Sequence, residues 1–367
     1  MPAYFSAFQK EAFTLFLILI SLLFLSACNP TSPISKAAGA SSAGSMAWET
    51  DIDGQAVLGI SAANGVVYTG GRRLHAFDEA SGRQKWESNL DSGFLFPVVA
   101  DGMVYACGFG VNLFAFDATS GQPKWNSANC PREPVVVADG IIYAEKERYD
   151  AATGLQKFAS KKFPDPGAAA HHLVYMSCTT NRLCAYDAVS EQQKWSVRVG
   201  TVSNSVTMDS FPVAADGVVC VFDINSGTLY AFDAVSGKRK WVASADAKNF
   251  ASVVPVIANG VVYISGTKLY AFDAVSGQQK WALTMSSFTS PTDARATADL
   301  TTPAIADGVV YVVSSWNRQL FALDAASGRQ KWAAAAGSFL PFIADDKVYV
   351  TGYASDTDKT TLRAFYR

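Results

Sequence analysis

Few side chains in this sequence have the types and spacings that reactions require. Its 367 residues include three histidines. His75 sits in the alternating run Leu74-His75-Ala76-Phe77, where parallel stretches carry Phe114, Cys184, Tyr230 and Tyr270, so a structural role is expected. His171 and His172 lack neighbouring ligands for a tetrahedral zinc site. No Gly-x-Ser-x-Gly nucleophile turn occurs. Asp223-x-Asn225-x-Gly227 has the oxygen-rich spacing of part of a calcium loop, but it lies where the chain must reverse, and a hairpin turn is the simpler reading. The same holds for Asp356 and Asp358. The six cysteines are not spaced as zinc ligands. Cys178 and Cys184 flank a tight connection and form one candidate disulfide; Cys107 and Cys130 form a second. Cys220 occupies a position that Tyr105, Tyr143, Tyr175 and Tyr263 fill elsewhere, which marks it as a core residue. The expectation is therefore no catalytic residue, no metal and no cofactor.

One cysteine carries a different chemistry. Ala12 to Ala27 is almost wholly apolar and, at about sixteen residues, is shorter than a membrane-spanning helix but suited to a signal segment. It ends in Leu25-Ser26-Ala27-Cys28, which resembles the bacterial lipobox, whose cysteine is acylated after cleavage in front of it. The resemblance implies a signal peptide over 1–27, a lipidated Cys28, and anchoring by several acyl chains. Asn29 after that cysteine resembles outer-membrane sorting. Residues 29–45 are mostly Ser, Ala, Gly and Pro, with one Lys and Ile34 as the one large apolar residue, too poor in such groups to fold. The segment 28–45 thus reads as a tether of roughly 20–25 Å mean reach.

The elements that must position everything else are repeats. Ala231-Phe-Asp-Ala-Val-Ser-Gly-Lys-Arg-Lys-Trp241 recurs in near copies ending at Trp86, Trp125, Trp195, Trp281 and Trp332, and in a worn copy ending at Phe158. Each copy reads as strand, turn and returning strand: alternating apolar residues, an Asp that caps the turn, a Gly that takes positive φ, then Trp. Ahead of each lies a second hairpin, usually broken by Asp-Gly or Asn-Gly as in Pro212 to Val219, with His171-His172 in that place in the fourth unit. Units of four short antiparallel strands, repeated about every forty residues, predict a propeller. Eight segments begin near Ile60, Pro97, Pro134, Ala168, Pro212, Pro255, Pro303 and Pro341. The eighth stops at Arg367 without a fourth strand, whereas Met46-Ala-Trp48-Glu-Thr50 has the Trp without a hairpin. The prediction is an all-β, eight-bladed propeller over 46–367, closed by residues 46–50 in the last blade, with Trp48 joining Trp86, Trp125, Trp195, Trp241, Trp281 and Trp332 as docking residues.

The repeats also separate two ends of each blade. The Asp-Gly and Asp-x-x-Ser-Gly turns share one end and hardly vary. The other connections vary freely, and variable loops on a rigid scaffold are where binding concentrates. Candidate partner-contacting residues there are Trp316, Arg318, Arg295, Arg182, Arg72, Arg73 and Phe109. A net charge of −2 with 17% charged residues argues against nucleic acid as partner.

The motif Ala-x-Asp-x-x-Ser/Thr-Gly-x-x-x-Trp resembles the tryptophan-docking motif of pyrroloquinoline-quinone-type eight-bladed propellers across nearly all of 46–367. That resemblance implies two kinds of relative: quinoprotein dehydrogenases, and lipoprotein scaffolds similar to assembly factor B of the β-barrel assembly machinery. The dehydrogenases carry adjacent cysteines and long insertions that this sequence lacks. Asp293 to Pro303, with Arg295, is similar to an Arg-containing stretch of the assembly-factor family. The expectation is a monomeric, non-catalytic envelope lipoprotein, at the outer membrane facing the periplasm, touching the membrane through its anchor and binding envelope or outer-membrane proteins through its variable loops. A quinone-dependent dehydrogenase-like protein and a surface ligand-binding lipoprotein are the alternatives.

Overall fold

Short apolar runs of three to eight residues, some alternating with polar ones and others apolar throughout, punctuated by turn residues, favour strands; the second strands, such as Val218–Asp223 and Val309–Ser314, are buried along their whole length. The computed structural model describes residues 42–52, 59–89, 97–107, 112–127, 135–138, 140–144, 147–159, 168–170, 172–179, 181–187, 190, 192–200, 212–245, 254–266, 268–284, 300–315, 317–337, 339–354 and 359–367. Among them run eight four-stranded antiparallel sheets, the blades of an eight-bladed β-propeller. Blade 5 is typical: Val213–Ala215, Val218–Asp223, Thr228–Asp233 and Arg239–Ser244, paired in sequence order.

Blade 8 breaks that order. Its strands Phe342–Ala344, Lys347–Ala354 and Lys359–Tyr366 are completed by Met46–Ile52 from the beginning of the chain. The pairing is antiparallel, with Trp48 opposite Ala364 and Ile52 opposite Thr360. Glu49–Arg363 (3.0 Å) and Asp51–Lys359 (2.9 Å) bridge the same two strands.

Turn chemistry sets the register. The first and second strands of a blade are joined by two residues both at positive φ: Asn64-Gly65, Asp101-Gly102, Asp216-Gly217, Asn259-Gly260 and Asp307-Gly308. This is the two-residue hairpin geometry that matches strand twist. The third strand carries a bulge just before its turn, between Ala231 and Phe232 in blade 5 and at the equivalent place in blades 1, 2, 4 and 6.

By their contacts the residues fall into two compact units, one of 162–317 and 321–331, the other of 28–161, 318–320 and 332–367. In the first, the opening strands of blades 4 and 5, and of 5 and 6, lie side by side. Its core joins Val256, Tyr263, Leu269, Val310, Val312 and Phe321. In the second, the opening strands of blades 8, 1, 2 and 3 neighbour one another in turn, and Trp48, Ile60, Val67, Phe77, Tyr349 and Leu362 pack across the first and last blades.

Candidate interaction face

The constant end of the blades is built from one socket used repeatedly. In blade 5 the Asp233 carboxylate accepts from the Ser236 amide (2.8 Å) and hydroxyl (2.6 Å), while the Gly237 amide donates to the Asp233 carbonyl at 2.9 Å. These bonds hold the carboxyl below the ordinary Asp range, the Ser236 hydroxyl contributing most. The Ala234 amide donates to the Gly217 carbonyl, tying the blade's two turns together. The Ala234 carbonyl is then left pointing at blade 4, where it accepts from Trp195 Nε1 (3.1 Å) and the Tyr175 hydroxyl (3.2 Å).

Gly237, at φ +70, lies beneath the Trp195 ring; a Cβ there would come 2.6 Å from Cδ2. Trp241 on Ala274 and Gly277, and Trp281 on Ala325 and Gly328, repeat the arrangement in this unit. In the other unit Trp86 and Tyr68 share the Ala118 carbonyl over Gly121, and Tyr105 donates to Ala151 while Trp125 covers Gly154. Trp48 covers Gly82 and Trp332 covers Gly44. Burial pushes the hydroxyls of Tyr68, Tyr105, Tyr175 and Tyr263 up to about 12, so they remain donors at neutral pH. This end is thereby committed to joining blades. The tyrosines of the second strands were visible in sequence as the repeated Val-Tyr of Val67-Tyr68 and Val104-Tyr105, although their hydroxyl partners were not.

The second-to-third-strand turns form the other end. Arg72 and Arg73 share the turn of blade 1 and both are exposed. Arg73 pairs with Glu87, whose carboxyl is held below its ordinary range chiefly by that hydrogen bond. His75, buried behind them, lies 3.9 Å from the same carboxylate. Arg318 is exposed at φ +55 on the turn of blade 7, its carbonyl accepting from the Ala336 amide at 2.9 Å. Arg182 is different: half-buried, it donates from Nε to Ser196 Oγ (2.8 Å) and from Nη2 to the Ser196 carbonyl (3.3 Å). Its turn is clasped by a disulfide between Cys178, the bulged residue of its strand, and Cys184, with Cα atoms 5.8 Å apart. Cys107 is also in a disulfide; its candidate partner Cys130 lies outside the described residues. Cys220 is a buried free thiol whose pKa burial raises.

The structure brings Arg72 and Arg73 onto one turn and places Arg182 and Arg318 on the corresponding turns of their own blades. Trp316, Arg295 and Phe109, together with Cys28 and the segments 1–27 and 28–41, lie outside the described residues, as do His171, Asp356 and Asp358. Asp223 resolves as a turn residue. Its carboxylate accepts from the Asn225 amide (3.1 Å) and the Ser226 hydroxyl (2.6 Å). Among the described residues, no group of three or more His, Cys, Asp or Glu gathers as metal ligands would.

Comparison with known proteins follows the same architecture. The sequence profile described as outer membrane protein assembly factor BamB matches residues 37–144 and 138–365. A curated relative, outer membrane protein assembly factor BamB of Yersinia pestis, is 30% identical over 178 residues, 47% of this chain and 44% of that protein. The match thus spans less than half of the relative's length. Among solved structures, BamB from Moraxella catarrhalis superposes with a TM-score of 0.67 at 16% identity, covering 88% of this chain and 99% of that one. The quinohemoprotein alcohol dehydrogenase ADHIIG from Pseudomonas putida HK5 gives 0.61 at 14% identity, covering 88% and 76%. At such identities the structural likenesses establish the fold.

Proposed function

The chain belongs to the outer membrane protein assembly factor BamB family, and from that premise we propose that it is a non-catalytic scaffold that holds envelope proteins during outer-membrane protein assembly. The observation that carries this reading is the asymmetry between the ends of its blades. At one end, the Trp rings, Tyr hydroxyls and turn Gly join one blade to the next, and Asp and Ser hold the turns that carry them. At the other, the connections differ in length and sequence from blade to blade and display Arg72, Arg73 and Arg318. Exposed guanidinium groups on rigid turns suit carboxylates or backbone carbonyls of a protein partner, because each presents a fixed fork of donors. Arg295, Trp316 and Phe109 belong by sequence to the same set of variable connections.

In this reading Cys28 is acylated after removal of 1–27, and the segment from Cys28 to residue 41 tethers the propeller at the periplasmic side of the outer membrane; of the expected tether 28–45, Gly44 and Ser45 instead bond to Tyr366 of the last strand. Arg182 serves the scaffold instead, bracing its own turn through Ser196.

Site-specific photo-crosslinkers at Arg72, Arg318 and Trp316, with Val235 and Val275 on the constant end as controls, test the proposal in native envelopes. Adducts with outer-membrane assembly proteins at the first three positions alone are the expected result. Equal labelling at both ends, or a monomer without adducts at every position, would remove the assigned face and the scaffold role with it. A dehydrogenase would instead take up quinone and Ca²⁺ and reduce a dye in the presence of an alcohol; a blank titration is expected.

A further inference from the structure

One blade junction departs from the pattern of the others. Ala118, Ala151, Ala234, Ala274 and Ala325 follow the turn Asp in their blades, whereas blade 1 has Glu79. Its backbone does what theirs does: the amide donates to the Gly65 carbonyl at 2.9 Å, and the carbonyl accepts from Trp48 Nε1 at 2.8 Å. Its side chain adds a contact the alanines cannot make. The Tyr349 hydroxyl of the last blade, which by analogy with Tyr68, Tyr105 and Tyr175 should reach the backbone carbonyl, donates instead to Glu79 Oε1 at 3.0 Å. Glu79 is 6% exposed and Tyr349 fully buried. The Trp48 and Tyr349 rings beside it are tilted, with centroids 5.8 Å apart.

The charged groups around it come from the turn and second strand of blade 8. The Asp345 carboxylate adds a like charge that disfavours ionisation of Glu79. Lys347, whose Nζ sits 2.6 Å from Asp346 Oδ1 and 5.6 Å from the centroid of the Tyr366 ring, and the Tyr349 hydroxyl both favour the ionised Glu79, but less than burial and Asp345 disfavour it. Asp346 adds a further negative charge near Tyr349.

We propose that the junction of the first and last blades is a proton-dependent latch, in which a neutral, buried Glu79 carboxyl accepts from Tyr349, and in which its ionisation beside the Asp345 carboxylate loosens the closing sheet. Burial first, then the Asp345 carboxylate, pushes the Glu79 carboxyl up to about 7, and the Tyr349 hydroxyl is raised by burial and by Glu79. A carboxyl raised in the folded state binds its proton more tightly there than in the unfolded chain. Its contribution is therefore full below the unfolded value and is lost as pH climbs through about 7. The latch stands on Glu79, Tyr349 and Asp345 and is independent of which protein the variable loops bind.

Hydrogen exchange of the full chain between pH 5.5 and 8.5, corrected for intrinsic rates, reads the latch directly. Relative to Arg239–Ser244 and Gln279–Thr284, protection at Met46–Ile52 and Lys359–Tyr366 should fall by about tenfold or more across that range, the equivalent of one pKa unit. Glu79→Gln should flatten the profile. Glu79→Ala, which installs the residue that follows the turn Asp in six other blades, should do the same and guards against a misfolded Gln variant. Asp345→Asn should move the transition to lower pH. A flat wild-type profile, or equal slopes in the wild type and both Glu79 variants, would overturn the proposal.

Discussion

At Gly277 one missing carbon decides how two blades meet. Gly277 and Gly260 both hold positive φ, +73 and +71, in turns of blade 6, but a Cβ at Gly277 would fall 2.6 Å from the Trp241 ring while one at Gly260 meets nothing within 4 Å. Alanine at either site carries the left-handed strain, about 1–2 kcal/mol. Only at Gly277 does it also displace an indole that is 8% exposed and bonded to Ala274, adding about 1–3 kcal/mol of overpacking. Urea midpoints should therefore rank wild type above Gly260→Ala above Gly277→Ala; equal losses would mean the ring yields without cost. The Gly and Trp were legible as one motif because they lie four residues apart. That each Gly serves the Trp of the preceding blade was not, since such a contact follows only from the stacking of sheets. Glu79 was hidden for the same reason, its partner Tyr349 being 270 residues away.

The turn is the element that makes the blade heritable as a unit. Asp78, Asp117, Asp150, Asp233, Asp273 and Asp324 each accept from the Ser or Thr three residues on, and each carboxyl is held below its ordinary range. A depressed folded value means stability that is complete above the unfolded pKa and disappears as pH falls through the folded one. Ser276→Ala removes the hydroxyl bond at 2.8 Å and leaves the amide bond. In a carboxyl-carbon titration Asp273 should then move upward, toward but not reaching the free value, while Asp233 stays put. An unmoved Asp273 would mean the amides alone set its charge. These turns, the Asp-Gly hairpins and the strand register were readable from sequence because all three depend on residues within a few positions of one another. The variable connections were readable only as variable. Arg182 looked like its neighbours Arg72 and Arg318 until the register of blade 4, Cys184 opposite Ser196, set Ser196 within its reach.

At the scale of the whole chain, closure depends on residues from its two extremes. Met46–Ile52 supplies the fourth strand of the last blade, two ion pairs and the Trp48 that caps Gly82 of the first blade. Without it the eight-residue strand Lys359–Tyr366, whose Leu362, Ala364 and Phe365 are buried, would be a long edge with free backbone groups and an uncovered apolar face. Such an edge recruits other strands. The fourth strands elsewhere guard their edges with charge, Lys124, Lys157 and Lys194 each pairing with the Asp of its own turn; a third strand, with its buried Leu, Ala and Phe, is built to be covered by a fourth. A chain beginning at Asp53 should accordingly form dimers or larger species in light scattering, bind a hydrophobic dye, and unfold at lower urea than the full chain. A peptide of residues 42–52 added in trans should return it to the monomer by pairing with the same edge, whereas the peptide with Trp48→Ala, lacking the ring that fills the junction, should do so at much higher concentration. A truncated chain that stayed monomeric at the full-length midpoint would mean that the first strand decorates the last blade without closing it.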